Sequence, residues 1–459
     1  MYWRKWLCFF VVAVGFLLWS GLAPVHASET ALLINLLKKK NIITQQEADE
    51  ILKELKTVAQ QEKKEIKKEV KAEVKAEVTQ DIKKDAGKGA FLPKSLQGFK
   101  LGGQIFAEWN AKNYYPGLTG NGVPTNVDTS SNEFALNRGQ FTLSKDFNDW
   151  LGMQLTADVF YLSTDAAGAT STESHSGPEL RLKQAFASMK YAGTTTHFGL
   201  VNTTSDDYDN SIWPFRVQGK NLLDELGIQS TFDLGVANQG VIGGYMDDEY
   251  LKYANRAYSG KWGGWRAGLF NGAGYTKYEG NNNKAASALV YFRPLPNTPF
   301  LKGLQLAYVG TWGQGNTFIG GNTAANQPKG YPNYLINLAQ VSLLHPWFAV
   351  MGQYYWGQGT AAGNDDTKRA AYLASAYVRI PGIQKLRAFG KIYNYDPDTY
   401  REKDDYNVFV AGLAYDLSPE FMPFVAWEHR DNGQNVALGT SNSGRIDYHK
   451  YQVGVQVKF

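Results

Sequence analysis

Cysteine is all but missing from this chain. Among 459 residues only Cys8 occurs, and it lies in a stretch that reads as a removable export signal. A mature chain without cysteine has no disulfide, no Cys-ligated zinc, no iron–sulfur cluster and no c-type haem. Histidine is scarce as well: His175, His197, His345, His429 and His449 follow residue 27, none in an HExxH spacing and none beside a nucleophile motif. Neither a phosphate-binding loop nor a dinucleotide fingerprint is present. We therefore expect no enzymatic activity, no metal and no cofactor. Long apolar runs are equally lacking beyond the first 27 residues, where nothing approaches the roughly 20 residues that a transmembrane helix requires. A one-sided charge is absent from most of the chain too. The overall +4 comes from the N-terminal part: residues 99–459 carry 30 basic and 31 acidic side chains. That balance gives no reason to expect a nucleic-acid partner.

What is present divides into three parts. Residues 1–27 begin with Arg4 and Lys5, continue through the apolar stretch Leu7 to Leu22, and end on Val25-His26-Ala27. A basic start, a short apolar centre and small residues at the end describe a secretory signal peptide. Residues 28–97 form a helical, coiled-coil-like periplasmic segment, in which Thr44-Gln-Gln-Glu47 supplies a capping box. Glu65, Glu69, Glu73 and Glu77 make one row at i,i+4, and Lys63, Lys67, Lys71 and Lys75 make another. Like charges at that spacing oppose an isolated helix by about 0.2–0.5 kcal/mol per pair. An acidic and a basic row flanking an Ile/Val seam suit self-association, so that one subunit faces its neighbour's opposite row. A charged spacer that tethers the envelope to the cell wall fits the same residues, and both readings stay open.

From Gly98 onward the pattern changes. Residues 98–459 contain about sixteen candidate strands of ten to thirteen residues, the best alternating at Trp150–Tyr161, Gly303–Trp312, Lys385–Tyr395, Tyr406–Asp416 and Asp447–Phe459. In the last, Tyr451, Val453, Val455, Val457 and Phe459 share one face, and Gln452, Gly454 and Gln456 the other. Period two gives one apolar and one polar face. Connections alternate long and short: 111–131 long, 146–149 short, 162–178 long, 192–194 short, 202–232 very long, with the same rhythm resuming from 313. Long outer loops and short periplasmic turns are the habit of transmembrane barrels. Aromatics such as Trp109, Trp150, Tyr191, Trp312, Trp347, Trp356 and Trp427 recur near strand ends, as interfacial girdles require. The rhythm breaks once, over 233–264, where alternation does not say which part is the sixth strand. The expected fold is thus an all-β transmembrane barrel preceded by a helical segment.

Three stretches resemble a known family. The segment 99–110 (FKLGGQIFAEWN) is similar to the opening strand of phosphate-selective porin O/P-type barrels. Segment 133–159 is similar to their second and third strands with the turn between, and 214–236 to the stretch after the fifth strand. The resemblance implies a 16-stranded outer-membrane diffusion channel, usually a homotrimer, for small hydrophilic solutes or for anions such as phosphate. Residues 36–52 also resemble the short helical prefix of many porins, whereas the longer charged helix departs from it.

Assigning the apolar face to lipid fixes which charges point inward, because a one-residue slip would place them in hydrocarbon. The pore-lining basic candidates are then Arg138, Arg181, Lys183, Arg266, Arg379, Lys385, Arg387 and Lys391, against the acids Glu108, Asp158 and Glu428. Basic rings favour anions. The connection after the fifth strand is the expected constriction loop, with Asp206, Asp207, Asp209, Arg216 and Lys220 as its charges and Ile212, Trp213 and Phe215 as its anchors. An ordinary surface loop has the same composition. Two further functions remain compatible with the sequence: a structural envelope anchor, and a sheath around an electron-transfer partner.

Overall fold

The alternating stretches resolve into sixteen antiparallel strands. The structure, a computed structural model, describes residue 46 and residues 97–114, 130–161, 178–249, 251, 258–277, 279–319, 330–361, 363, 365–432 and 447–459. The expected signal peptide and helical segment therefore lie outside the described residues, apart from single positions. The first quarter of the barrel comprises β1 (Phe99–Tyr114), β2 (Ser131–Asp146), β3 (Leu151–Tyr161) and β4 (Pro178–Tyr191). Next come β5 (Thr194–Asn202), β6 (Phe232–Ile242), β7 (Gly263–Phe270) and β8 (Ala285–Phe292). They are followed by β9 (Leu304–Gln314), β10 (Asn333–His345), β11 (Phe348–Gln358) and β12 (Lys368–Ile380). The chain ends with β13 (Ile383–Asp396), β14 (Tyr406–Tyr415), β15 (Phe421–Asn432) and β16 (Tyr448–Lys458). Each strand pairs with its sequence neighbours, and β16 pairs with β1 to close the sheet. Closure removes the unpaired edges that hydrocarbon does not tolerate.

The terminal strand shows how sequence sets this wall. Tyr451 and Val453 stand outward, 47% and 51% exposed, whereas Gln452 and Gln456 are buried inside. Trp109 of β1 sits opposite Val453, and Glu108 opposite Gly454. The last residue completes the seam: Gly103 and Phe459 exchange both backbone hydrogen bonds, at 2.8 and 3.0 Å. A Cβ on Gly103 would lie 2.5 Å from the Phe459 ring, so only glycine admits that ring at the closure point.

Exposed aromatics form two belts. Phe147, Trp150, Tyr191, Phe300, Trp347 and Phe459 ring the short-turn end; Tyr308, Trp312, Tyr354 and Trp356 stand nearer the long loops. Amphipathic rings at both interfaces with aliphatic side chains between them are the outer surface of a membrane barrel. With the closed sheet, they make this an outer-membrane protein.

Two departures from plain alternation matter later. The β1–β2 register shifts at Phe106/Ala107, and the β3–β4 register at Thr156/Ala157. The extra residues are Asn137 and Lys183, which have no partner in the two ladders. The break in rhythm also finds its explanation: β6 is Phe232–Ile242, and 243–262 is a twenty-residue connection at the short-turn end.

Candidate functional site: the lumen constriction

Residues 203–231, between β5 and β6, fold into the barrel instead of standing above it. Thr203 closes the base: its N–H donates to the Thr231 carbonyl at 3.0 Å and its hydroxyl to the Ser230 carbonyl at 2.8 Å. Helix α1 (Asp206–Ile212) begins with Asp206, Asp207 and Asp209 in its first turn, where the helix dipole favours negative charge. It stops at Trp213, which precedes Pro214 and is extended (φ −105°, ψ 97°) as a pre-proline residue prefers. That bend sends Trp213 and Phe215 to the wall. Phe215 stacks on Phe389 of β13 with ring centroids 4.2 Å apart, Trp213 meets both rings edge-on, and the Arg387 guanidinium lies 4.7 Å over Phe215. A second short helix, α2 (Leu222–Glu225), packs Leu222 and Leu223 inward. Asn221 joins the two helices by donating to the Asp206 carboxylate at 2.8 Å.

The loop then reaches much of the wall. Gln353 of β11 donates to Asp209 at 3.0 Å, Tyr208 donates to Gln305 of β9 at 3.1 Å, and Gln218 donates to Glu428 of β15 at 2.9 Å. Ile212, Trp213, Phe215, Leu222, Leu223 and Ile228 belong to one apolar cluster with Leu289, Val309, Ile336, Leu338 and Phe389 from the strands. Dry packing against one side narrows the lumen toward the other.

That other side is charged. The bulge at Lys183 turns Lys183 and Gln184 both inward, because a bulge re-aims side chains on its strand. Asp158 takes Arg181 at 3.1 Å and Lys183 at 3.5 Å. Arg138 comes after the β2 bulge, with its guanidinium 5.7 Å from the Phe106 ring. Among the described residues Arg138 has no ion-pair partner, yet Asp158, Asp206, Asp224 and Arg216 all act on it electrostatically. From the loop, Arg216 binds Asp224 at 2.5 Å. Four cations (Arg138, Arg181, Lys183, Arg216) thus meet three carboxyls (Asp158, Asp206, Asp224). Burial raises the Asp206 carboxyl above the usual carboxylate range, partly offset by Arg216.

The remaining candidates separate by position. Arg266 is buried between wall and loop, donating to Gln239 at 2.6 Å and to the Asn202 carbonyl at 2.9 Å. Arg379 binds Asp416 at 2.9 Å, Arg387 binds the same carboxylate, and Lys385 donates to the Leu417 carbonyl at 3.2 Å. Arg379 and Lys385 sit at the short-turn mouth, while Arg387 also lies over Phe215 of the loop. Lys391 is buried beside Gly219, between Glu225 and Glu428. Lys220 is exposed and pairs with Asp224 at 3.6 Å. Asp207 accepts from Asn202. Burial pushes its carboxyl up to about 6 and that of Asp209 up to about 7. Asp233 and Arg293 are buried charges that alternation did not single out, since each lies where the pattern is interrupted. A groove of about 760 Å³ lined by Ala107, Ala135, Pro423, Val425, Val453 and Val455 lies on the outer face and is part of the apolar belt.

Solved structures share this architecture. An anion-selective porin from Comamonas acidovorans aligns with a TM-score of 0.52 at 10% identity, over 79% of this chain and 99% of that one. The chain has the fold of the outer-membrane porins. OmpF of Salmonella typhi, solved with daunomycin, gives 0.51 at 11% identity over 79% and 97%. OprB of Pseudomonas putida gives 0.51 at 11% identity over 82% and 97%. No protein-family model and no curated protein match the sequence.

Proposed function

We propose that the protein is a diffusion channel for small hydrophilic solutes, and that it passes anions more readily than cations. The observation that carries the reading is the constriction. A loop is packed against one wall, and four cations stand opposite it against three carboxyls. Cations lining a narrow, low-dielectric passage lower the barrier for anions. Phosphate is one such anion, and the resemblance to the phosphate-selective porins agrees with it. The same resemblance supports assembly as a homotrimer, while the basic start and apolar centre of residues 1–27 support export and an even strand number supports a periplasmic place for residues 28–97. Reversal potential across a planar bilayer under a KCl gradient is the direct test. Anion selectivity supports the reading, cation selectivity overturns the preference, and absence of any conductance overturns the channel.

A further inference from the structure

Arg293 is fully buried, the largest side chain of that kind among the described residues. It follows β8 directly, at the short-turn end, and its partners are uncharged oxygens. Its guanidinium donates to the Gly260 carbonyl, to the Tyr258 carbonyl at 2.8 Å and to Gln305 Oε1 at 3.2 Å. A buried guanidinium held by neutral acceptors is costly to desolvate and is retained where its fork orders several groups at once. The groups it orders belong to different parts of the chain. Tyr258 and Gly260 lie in the long connection 243–262. Gln305 is on β9, and its Oε1 also accepts the Tyr208 hydroxyl of the constriction loop at 3.1 Å. The Tyr208 ring meets Tyr258 edge-on at 5.0 Å and Tyr291 at 5.5 Å, and Arg293 lies 5.1 Å over Tyr291.

We infer that Arg293 is a positioning residue for the aperture: it fastens the 258–260 backbone beneath Tyr208 and so fixes how far α1 stands into the lumen. The inference rests on the channel reading. Connections at the short-turn end of a barrel have no need to be long. This one is, and its described end is spent on a contact with the loop that narrows the pore. Were Arg293 only a local fastener of the connection, its loss would change barrel stability and nothing in the current.

The test is single-channel recording of the full chain and its Arg293→Met variant, with heat-modifiable gel mobility as the measure of the barrel. Without the fork, Tyr208 and Tyr258 lose their common anchor, and local opening of the loop becomes more frequent. We expect a several-fold rise in open-channel current noise and a lower threshold for voltage-induced closure, with gel mobility unchanged. Unchanged noise and threshold in a folded Arg293→Met variant overturn the inference. Should that variant fail to insert, Tyr208→Phe and Tyr258→Ala decide instead, since each removes one contact and leaves the guanidinium in place. Raised noise in both upholds the inference, and wild-type noise in both overturns it. A wild-type protein that does not conduct speaks against the channel itself, a distinct outcome.

Discussion

The two halves of the barrel's inner wall are built from different chemistry. Between β1 and β4 the inward side chains include Glu108, Asn110, Gln140, Thr156, Asp158, Arg181 and Lys183, a largely polar wall. Between β8 and β13 the inward set mixes Leu289, Val309, Ile336, Leu338, Met351, Leu373 and Phe389, joined in one cluster with the 203–231 loop, with buried polar groups such as Gln305, Gln340, Ser342 and Gln353. On that inner face the apolar groups pack against the loop and polar ones such as Gln305 and Gln353 hydrogen-bond it. The contrast makes one half a support and the other a filter. The support spends apolar area to hold the loop still, and the filter keeps its cations beside the aperture.

The largest effect should come from breaking the support. Phe215→Ala removes the ring stacked between Phe389 and Arg387, and truncating a buried Phe costs about 3–5 kcal/mol. The loop should undock, conductance should rise sharply and anion preference should fall, while gel mobility of the barrel persists. A wild-type conductance in this variant would mean that the apolar half does not hold the constriction.

On the outer face the expected cost is slightly smaller. Val453→Arg places a charge near the middle of β16 against lipid, at about 2–4 kcal/mol near the midplane. Gln452→Arg, one residue away and facing inward, should cost less. Equilibrium unfolding from lipid bilayers compares the two, and equal losses would contradict the facing assigned to β16.

Reversing charge in the filter should alter selectivity, at a cost in stability because Lys183 is a buried partner of Asp158. Arg138→Glu together with Lys183→Glu should move the reversal potential toward cations. The same exchange at Lys385, at the short-turn mouth, should move it less. If the mouth substitution had the larger effect, the aperture would not be where the bulges put it.

The smallest effect is one of pH. Burial raises the Asp207 carboxyl to about 6 and the Asp209 carboxyl to about 7, against an ordinary 3.8. A carboxyl with a raised folded value binds more protons folded than unfolded, so the packed loop loses stability as pH climbs from about 4 through 7. The loop also gains negative charge over the upper part of that window. Anion preference should therefore decline and current noise grow between pH 5 and 8. Asp209→Asn, which still accepts from Gln353, should flatten much of the change; an unaltered pH profile in that variant would assign the titration elsewhere.

How much of this was legible in the sequence depended on what each face touches. The outward positions of β16 and β3 alternate cleanly, because one face meets lipid and the other water. The loop anchors Ile212, Trp213 and Phe215 were readable as well, since three large apolar groups in an otherwise charged connection need a surface to cover them. β10 shows no comparable alternation: Tyr334, Ile336 and Leu338 face the loop while Leu335, Val341 and Leu343 face outward. Its period was hidden because both surroundings are apolar. The sixth strand was obscured for another reason, a connection at the short-turn end as long as an outer loop.

Sequence alone determined the class of architecture and the closing role of Asp447–Phe459. Those follow from a period of two and from the cost of placing charge in hydrocarbon, both of which act residue by residue. Which cations border the aperture was decided only by the tertiary structure. Arg138 and Lys183 reach it through bulges, and Arg379 and Lys385 are held at the mouth by Asp416 and the Leu417 carbonyl. Arg293 finds its three acceptors on segments that meet only once β7, β8 and β9 have paired. Register shifts and loop packing are properties of contacts between strands, and no pattern within one strand encodes them.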